Sequence, residues 1–231
     1  DTSMRLRYSD IPVVVAPQSM TLGGGCEFTM HADAVQAAAE SYIGLVEVGV
    51  GLLPGGAGTK EMAVRMSERY REGDPEMNVF QDVLMTLAQA KVATSAVEAY
   101  GLGYLQPHKD RISVNKKRLL TDAKRRCLLL AEEGYTRPLE KRVRVMGSTA
   151  LGAVETGVYQ MRYAGWASEH DELIANKIGY VLAGGNLSGA MEVSERYLLE
   201  LEREAFLSLA GEQKTQERIQ HMVQTNKPLR N

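Results

Sequence analysis

A chain of 231 residues can bury a core without staples, and its two cysteines, Cys26 and Cys127, form no CxxC pair, which excludes a disulfide framework and suits a reducing cytoplasm. The 27 basic and 29 acidic residues leave a net charge of −2, which excludes a general electrostatic drive toward nucleic acid. The apolar runs 11–17 and 127–131 are far short of the roughly 20 residues that span a bilayer, so no membrane crossing is expected.

The opening Asp1-Thr2-Ser3-Met4-Arg5-Leu6-Arg7 has neither a starting methionine nor a signal peptide's apolar segment, and reads as the internal start of a fragment. Ile11-Pro12-Val13-Val14-Val15-Ala16-Pro17 is a β-branched run between prolines, the pattern of a buried strand. Gly23-Gly24-Gly25 follows, and then Cys26 to Ala32 has the residues of a short helix with Glu27 in its first turn. A second apolar stretch runs from Ala34 to Ala39. It precedes Ser41 to Gly51, which contains Glu47, and a loop from Leu53 to Thr59 closes the glycine-rich region.

Beyond Lys60 the spacing predicts mostly helix, broken at Gly73-Asp74-Pro75, Gly101-Leu102-Gly103 and Gly184-Gly185-Asn186. Leu198, Leu201, Ala205 and Leu209 recur at helical spacing among Glu195, Arg196, Glu200, Glu202 and Arg203. That pattern predicts one buried apolar stripe and a solvated charged side. No fixed-period repeat or low-complexity linker interrupts the chain.

A glycine run between a strand and a helix lets backbone approach a ligand and aims free N–H groups at it. Two carboxylates beside such donors, Glu27 and Glu47, could do acid/base work on a carbonyl compound. Glycine turns also serve mere chain reversal, and the helix dipole alone favours a glutamate in a first turn. Nucleotide motifs fail: Gly49 to Gly55 misplaces its glycines for G-x-G-x-x-G and puts Pro54 where the helix should open, and Gly58-Thr59-Lys60 lacks the P-loop order.

Taken together, Pro12 to Pro17, Thr21-Leu22-Gly23-Gly24-Gly25-Cys26-Glu27, Asp33, Gly44-Leu45-Val46-Glu47 and Gly51-Leu52-Leu53-Pro54-Gly55 resemble the signature of the crotonase (enoyl-CoA hydratase/isomerase) superfamily. Ser95 to Leu102 and the tail Asn226 to Asn231 extend the resemblance. Thr59-Lys60-Glu61-Met62 and Ser194 to Leu199 look most like the crotonase module at the C-terminal end of bacterial 3-hydroxyacyl-CoA dehydrogenases. The resemblance implies an α/β fold: the C-terminal portion of a crotonase-like ββα spiral, helix-rich, with residues 1–103 as core remnant and 104–231 as a helical extension. Residues 104–190 are longer than the plain family needs.

The family's roles fall on Glu27 and Glu47 as the catalytic pair that handles water, on Gly24 as an oxyanion-hole amide where glycine is a steric requirement, and on Gly55 as the amide that positions the water. Leu22, Gly23 and Pro54 are implied in substrate binding. Two glutamates favour hydration of an enoyl-CoA in fatty-acid β-oxidation over isomerisation, for which one carboxylate suffices. An enoyl-CoA isomerase and a non-catalytic docking or oligomerisation piece are the alternatives. The implied partners are an acyl-CoA thioester and an N-terminal dehydrogenase region of the same parent chain, with a homo-oligomer of the chain as a further option. No metal or cofactor is implied for this module, and NAD only for the N-terminal region. Because the family's first oxyanion donor lies in the half that would precede Asp1, the isolated chain is expected to be nearly inactive. Ser19 and Ala57 stand where the family usually has glycine.

Other candidates have plainer readings. Lys116-Lys117-Arg118 with Lys124-Arg125-Arg126 reads as a solvated basic face. His31, His108, His170 and His221 show no ligand spacing, with His31 structural and His170 among polar helix residues. Cys26 reads as a packed thiol, and Tyr163 and Trp166 as core or interface packing with an acyl pocket as the alternative.

Overall fold

The structure is a computed structural model describing residues 2–231. In chain order its elements are α1 (Thr2–Arg7), β1 (Val14–Val15), β2 (Ser19–Leu22), α2 (Gly24–Met30), β3 (Ala34–Ala38), β4 (Ser41–Gly44), α3 (Gly58–Arg69) and α4 (Glu76–Ala88). They continue with β5 (Val92–Ala93), α5 (Ala96–Gly101), β6 (Arg111–Ser113), α6 (Leu119–Glu132), β7 (Arg142–Val145), α7 (Ser148–Tyr163), α8 (Glu169–Leu182), β8 (Met191–Ser194), α9 (Glu195–Ala210) and α10 (Gln213–Thr225). Two compact units result. The first takes the chain up to Leu45, Gly56–Gly58 and Lys91–Glu140; the second takes Val46–Gly55, Thr59–Ala90 and Lys141–Asn231.

The first unit is built from successive ββ turns of chain. Its first strands stack into one sheet, β1-β3-β6, paired parallel throughout, and its second strands into another, β2-β4-β5. β2 runs parallel to β4 with Leu22 opposite Gly44, and β5 closes antiparallel on β4. All five residues of β3 are buried, as expected of a central parallel strand; four are small apolar residues, and Gln36 among them donates from Nε2 to Ser113 Oγ at 2.8 Å. Asp110, only 1 % exposed, accepts the N–H groups of Val35 and Gln106 and so satisfies loop donors that burial would otherwise orphan.

The strand predicted over 11–17 contracts to Val14–Val15, half-buried. β1 pairs with β3 alone, and Pro12 and Pro17 offer no N–H to extend the ladder. The two residues standing in for glycine both take left-handed backbone: Ser19 at φ 59° and Ala57 at φ 81°. Those positions demand what glycine supplies without strain.

The second unit is helical, as the spacing beyond Lys60 predicts, except for one antiparallel pair. β7 and β8 pair in register Arg142 with Ser194 and Val145 with Met191; the alternation of Arg142-Val143-Arg144-Val145, exposed and buried in turn, is the period-2 signal for it. α7 and α8 lie against each other where Gly179 leaves room for Val154, since a Cβ there would stand 2.6 Å from Val154 Cγ1. α8 opens with a capping box of Ser168 and Asp171. Leu198, Leu201, Ala205 and Leu209 are buried along α9 as predicted, but Glu195 and Glu202, predicted on its solvated side, are buried with them. Among the described residues no helix is long and apolar enough to cross a membrane.

Candidate active site

In the first unit a glycine turn joins strand to helix, as the sequence predicts. β2 ends at Leu22, and Gly23 turns the chain at φ 56°, ψ −127°, a conformation essentially closed to residues with a Cβ. The Gly23 N–H donates to Gly44 O at 2.9 Å, tying the turn to the end of β4. The helix then starts two residues earlier than predicted, at Gly24. As the first residue of α2, Gly24 has an N–H with no acceptor inside the helix, and it is exposed. A Cβ on Gly24 would meet only Glu27 Oε2, at 3.9 Å. The steric requirement implied for this glycine is therefore not imposed by the chain's own atoms.

Glu27 comes one helical turn later and is 6 % exposed. Its Oε1 accepts two backbone N–H groups, from Gly56 at 2.7 Å and Gly58 at 2.9 Å. Oε2 lies on the side of Gly24, 3.9 Å from where a Cβ on that glycine would stand. Burial raises the Glu27 carboxyl above its ordinary value, and the two N–H donors only partly offset this. Gly56 is indispensable here: a Cβ on it would lie 2.2 Å from Glu27 Oε2 and 2.9 Å from its carboxyl carbon. Gly56 and Gly58 were missed by sequence reasoning, which credited the loop with Gly55 alone; three glycines within 55–58 were the available signal. Cys26 is fully buried with its thiol on Met30 Sδ at 3.7 Å, and His31, also fully buried, donates from Nδ1 to Glu27 O at 2.6 Å. Both have the structural roles expected of them.

In the second unit Glu47 opens a 3₁₀ turn, Glu47–Val50, closed by Gly51 at φ 84°. α10 pins that turn. Thr215 Oγ1 donates to Gly51 O at 2.8 Å, and Arg218 Nη1 reaches Val48 O at 3.4 Å and Asp171 Oδ1 at 2.8 Å. Behind Thr215, His170 Nε2 lies 2.8 Å from the same hydroxyl; because Thr215 gives its proton to Gly51, His170 must donate from Nε2. His170, predicted among solvated polar residues, is only 3 % exposed. Burial, then Arg218 and Lys214, hold its pKa below the ordinary 6.5.

Neutral His170 therefore stabilises the fold fully above pH 6.5, and this contribution is lost as pH falls through its depressed folded value. The thermal midpoint should drop on acidification through this window, and His170→Gln should flatten the drop. An unchanged pH profile in the variant would count against the assignment.

Pro54 O accepts both Thr59 N–H at 3.2 Å and Thr59 Oγ1 at 2.9 Å, which closes the loop carrying Gly55. Leu22, Gly23, Gly24 and Glu27 thus stand together in the first unit, and Glu47, Pro54 and Gly55 in the second. Trp166 and Tyr163 are 74 % and 85 % exposed, so neither is core. Trp166 lines, with Val48, Gly49, Leu84, Met85 and Met161, a cleft of about 520 Å³ that starts at the residue after Glu47. Among the described residues no group of three or more His, Cys, Asp or Glu side chains is placed to hold a metal.

The sequence model of the enoyl-CoA hydratase/isomerase family matches residues 1–70, the stretch that holds every residue of both halves named in the motif. That region belongs to the crotonase superfamily. It is 48 % identical over its full 231 residues to a "Probable 3-hydroxyacyl-CoA dehydrogenase" of Bacillus subtilis, of which it spans 29 %. It is 39 % identical over 59 residues, 26 % of the chain and 23 % of the relative, to a short-chain-enoyl-CoA hydratase of Clostridium acetobutylicum. The fold of an enoyl-CoA hydratase from Bacillus halodurans aligns with 94 % of the chain at a TM-score of 0.53 and 16 % identity, over 63 % of that structure. The chain therefore combines a hydratase/isomerase family region with full-length similarity to part of a protein named as a dehydrogenase.

Proposed function

We propose that this chain is the hydratase module of a longer β-oxidation protein, adding water to a trans-2-enoyl-CoA to give 3-hydroxyacyl-CoA. The observation that carries the reading is Glu27: a buried carboxyl with one oxygen held by two amides and the other 3.9 Å from where a Cβ on Gly24 would stand. Burial keeps its proton affinity high, which suits a group that must deliver a proton to C2. Glu47 then takes the proton from water as the water oxygen bonds to C3, with Gly55 positioning that water. Enolate charge on the thioester oxygen falls on the Gly24 N–H. Leu22, Gly23 and Pro54 frame the substrate, and the cleft lined by Leu84, Met85, Met161 and Trp166 suits an acyl chain.

Hydration is redox-neutral, so NAD takes no part in this step. NAD belongs to the dehydrogenase region proposed to lie N-terminal in the parent chain, in keeping with the name of the Bacillus subtilis relative. The intact protein incubated with trans-2-enoyl-CoA in H₂¹⁸O is expected to place ¹⁸O on C3 of 3-hydroxyacyl-CoA. Conversion of a 3-enoyl-CoA to the 2-enoyl isomer without label uptake would replace hydration by isomerisation. Neither reaction, in a protein that still assembles, would leave the docking reading.

A further inference from the structure

The charged residues buried in the second unit do not belong to any step above. Lys60, in the first turn of α3, is fully buried, and Glu61, Glu195 and Glu202 are 1 %, 2 % and 1 % exposed. Lys60 Nζ lies 2.9 Å from Glu195 Oε2 and 3.2 Å from Glu61 Oε2. The Lys60 backbone N–H donates to Glu202 Oε2 at 2.7 Å, and Glu195 Oε1 accepts the Lys141 N–H at 3.2 Å. Desolvating so many charges costs several kcal/mol per ion, and apolar side chains would join α3 to α9 more cheaply. Charges give direction where apolar contacts would not.

That direction converges on the loop that carries Gly55. Thr59, next to Lys60, closes the loop by its two bonds to Pro54 O. At the third position of α3, the Lys60 N–H is one a local N-cap side chain would ordinarily satisfy. Ala57, preceding the helix, has no such group, and Glu202 supplies it from α9. One turn along α9 from Glu202, Phe206 stands so close to Gly55 that a Cβ there would meet its Cδ2 at 2.3 Å. Glu195, Glu202 and Phe206 therefore grip both ends of the Pro54–Thr59 loop from one face of one helix.

We infer that Glu202 and Phe206 are positioning residues that hold the Gly55 amide in place for the attacking water. The inference rests on the hydratase reading for its chemistry, but not for its geometry. Backbone hydrogen exchange of segment 52–60 reads the geometry alone, because a loop held by fewer contacts opens more often. In the intact protein, Glu202→Leu is expected to speed exchange in 52–60 about tenfold or more while α10 exchanges as before.

The same change should lower kcat for enoyl-CoA hydration about tenfold or more with KM within about twofold, since a displaced water-holding amide affects the transition state and not substrate capture. Glu202→Gln, whose carboxamide oxygen can still accept the Lys60 N–H, should recover most of the rate. Should Glu202→Leu fail to fold, Phe206→Leu gives the same readouts with the charges untouched. Exchange in 52–60 unchanged in a folded variant, or kcat within twofold of the parent enzyme, would overturn the inference. If the parent protein hydrates no enoyl-CoA, the hydratase reading fails while the exchange result still decides the positioning role.

Discussion

Glu27→Gln and Glu47→Gln, made singly in the intact protein, should each lower kcat for crotonyl-CoA hydration by about 10²- to 10⁴-fold, the usual contribution of a positioned general acid or base. Glutamine is the informative replacement at Glu27, because its carbonyl oxygen can still accept the Gly56 and Gly58 N–H groups that bind Oε1. The loss then reports proton transfer and not a displaced side chain. A variant within about threefold of the parent at either position would sink the two-carboxylate mechanism, and loss at only one would favour isomerisation. Stability gives a second readout with a definite sign. Burial raises the Glu27 pKa above its ordinary 4.5, so its contribution to stability is fully present below that value and is lost as pH rises through the folded pKa. Glu27→Gln, which mimics the protonated form, should melt higher than the parent at pH 7, with the difference closing on acidification below 4.5. A functional carboxylate that costs stability is the expected trade.

The parts of this site legible in sequence are those made by neighbours in the chain. Gly23, Gly24 and Glu27 form one strand–turn–helix, in which φ at Gly23 and the first turn of α2 are local properties. The apolar stretch read over Ala34 to Ala39 is β3, buried on both faces, although composition alone did not name it a strand. What escaped was set by partners distant in sequence. Gly56 and Gly58 touch Glu27 across about thirty residues, and nothing in a glycine's identity says which carboxylate its amide will meet. Glu195 and Glu202 were misplaced for the same reason: charges within a helix pattern read as solvated unless the buried partners opposite can be seen, here the Lys60 ammonium for Glu195 and the Lys60 backbone N–H for Glu202. Ser19 and Ala57 are the converse case. The family comparison marked both as glycine positions, and the backbone, positive in φ at each, gives the physical reason.

Gly56→Ala should cost nearly as much activity as loss of Glu27 itself, while leaving the carboxylate present. The new Cβ would sit 2.2 Å from Glu27 Oε2 and 2.9 Å from its carboxyl carbon, contacts no real Cβ tolerates, so either the side chain or the loop must move. If the side chain moves, Oε1 leaves both amides and Oε2 leaves its place beside Gly24. If the loop moves, the Gly56 and Gly58 donors are withdrawn together, and the Ser3 hydroxyl loses its bond to Gly56 O, now 2.7 Å. Either displacement is of the order of an ångström, enough for about a hundredfold loss in kcat. Backbone conformation does not obstruct the change, since φ at Gly56 is not positive, and the residue is exposed; the variant should fold. Withdrawing the amides also removes the two influences that lower the Glu27 pKa, leaving burial unopposed. Residual activity should therefore have its alkaline limb at higher pH than the parent enzyme, because Glu27 acts in its protonated form. Steady-state rates across pH on the folded variant decide the matter: a kcat within about threefold of the parent, or an alkaline limb in the same place, would mean that Gly56 does not hold Glu27.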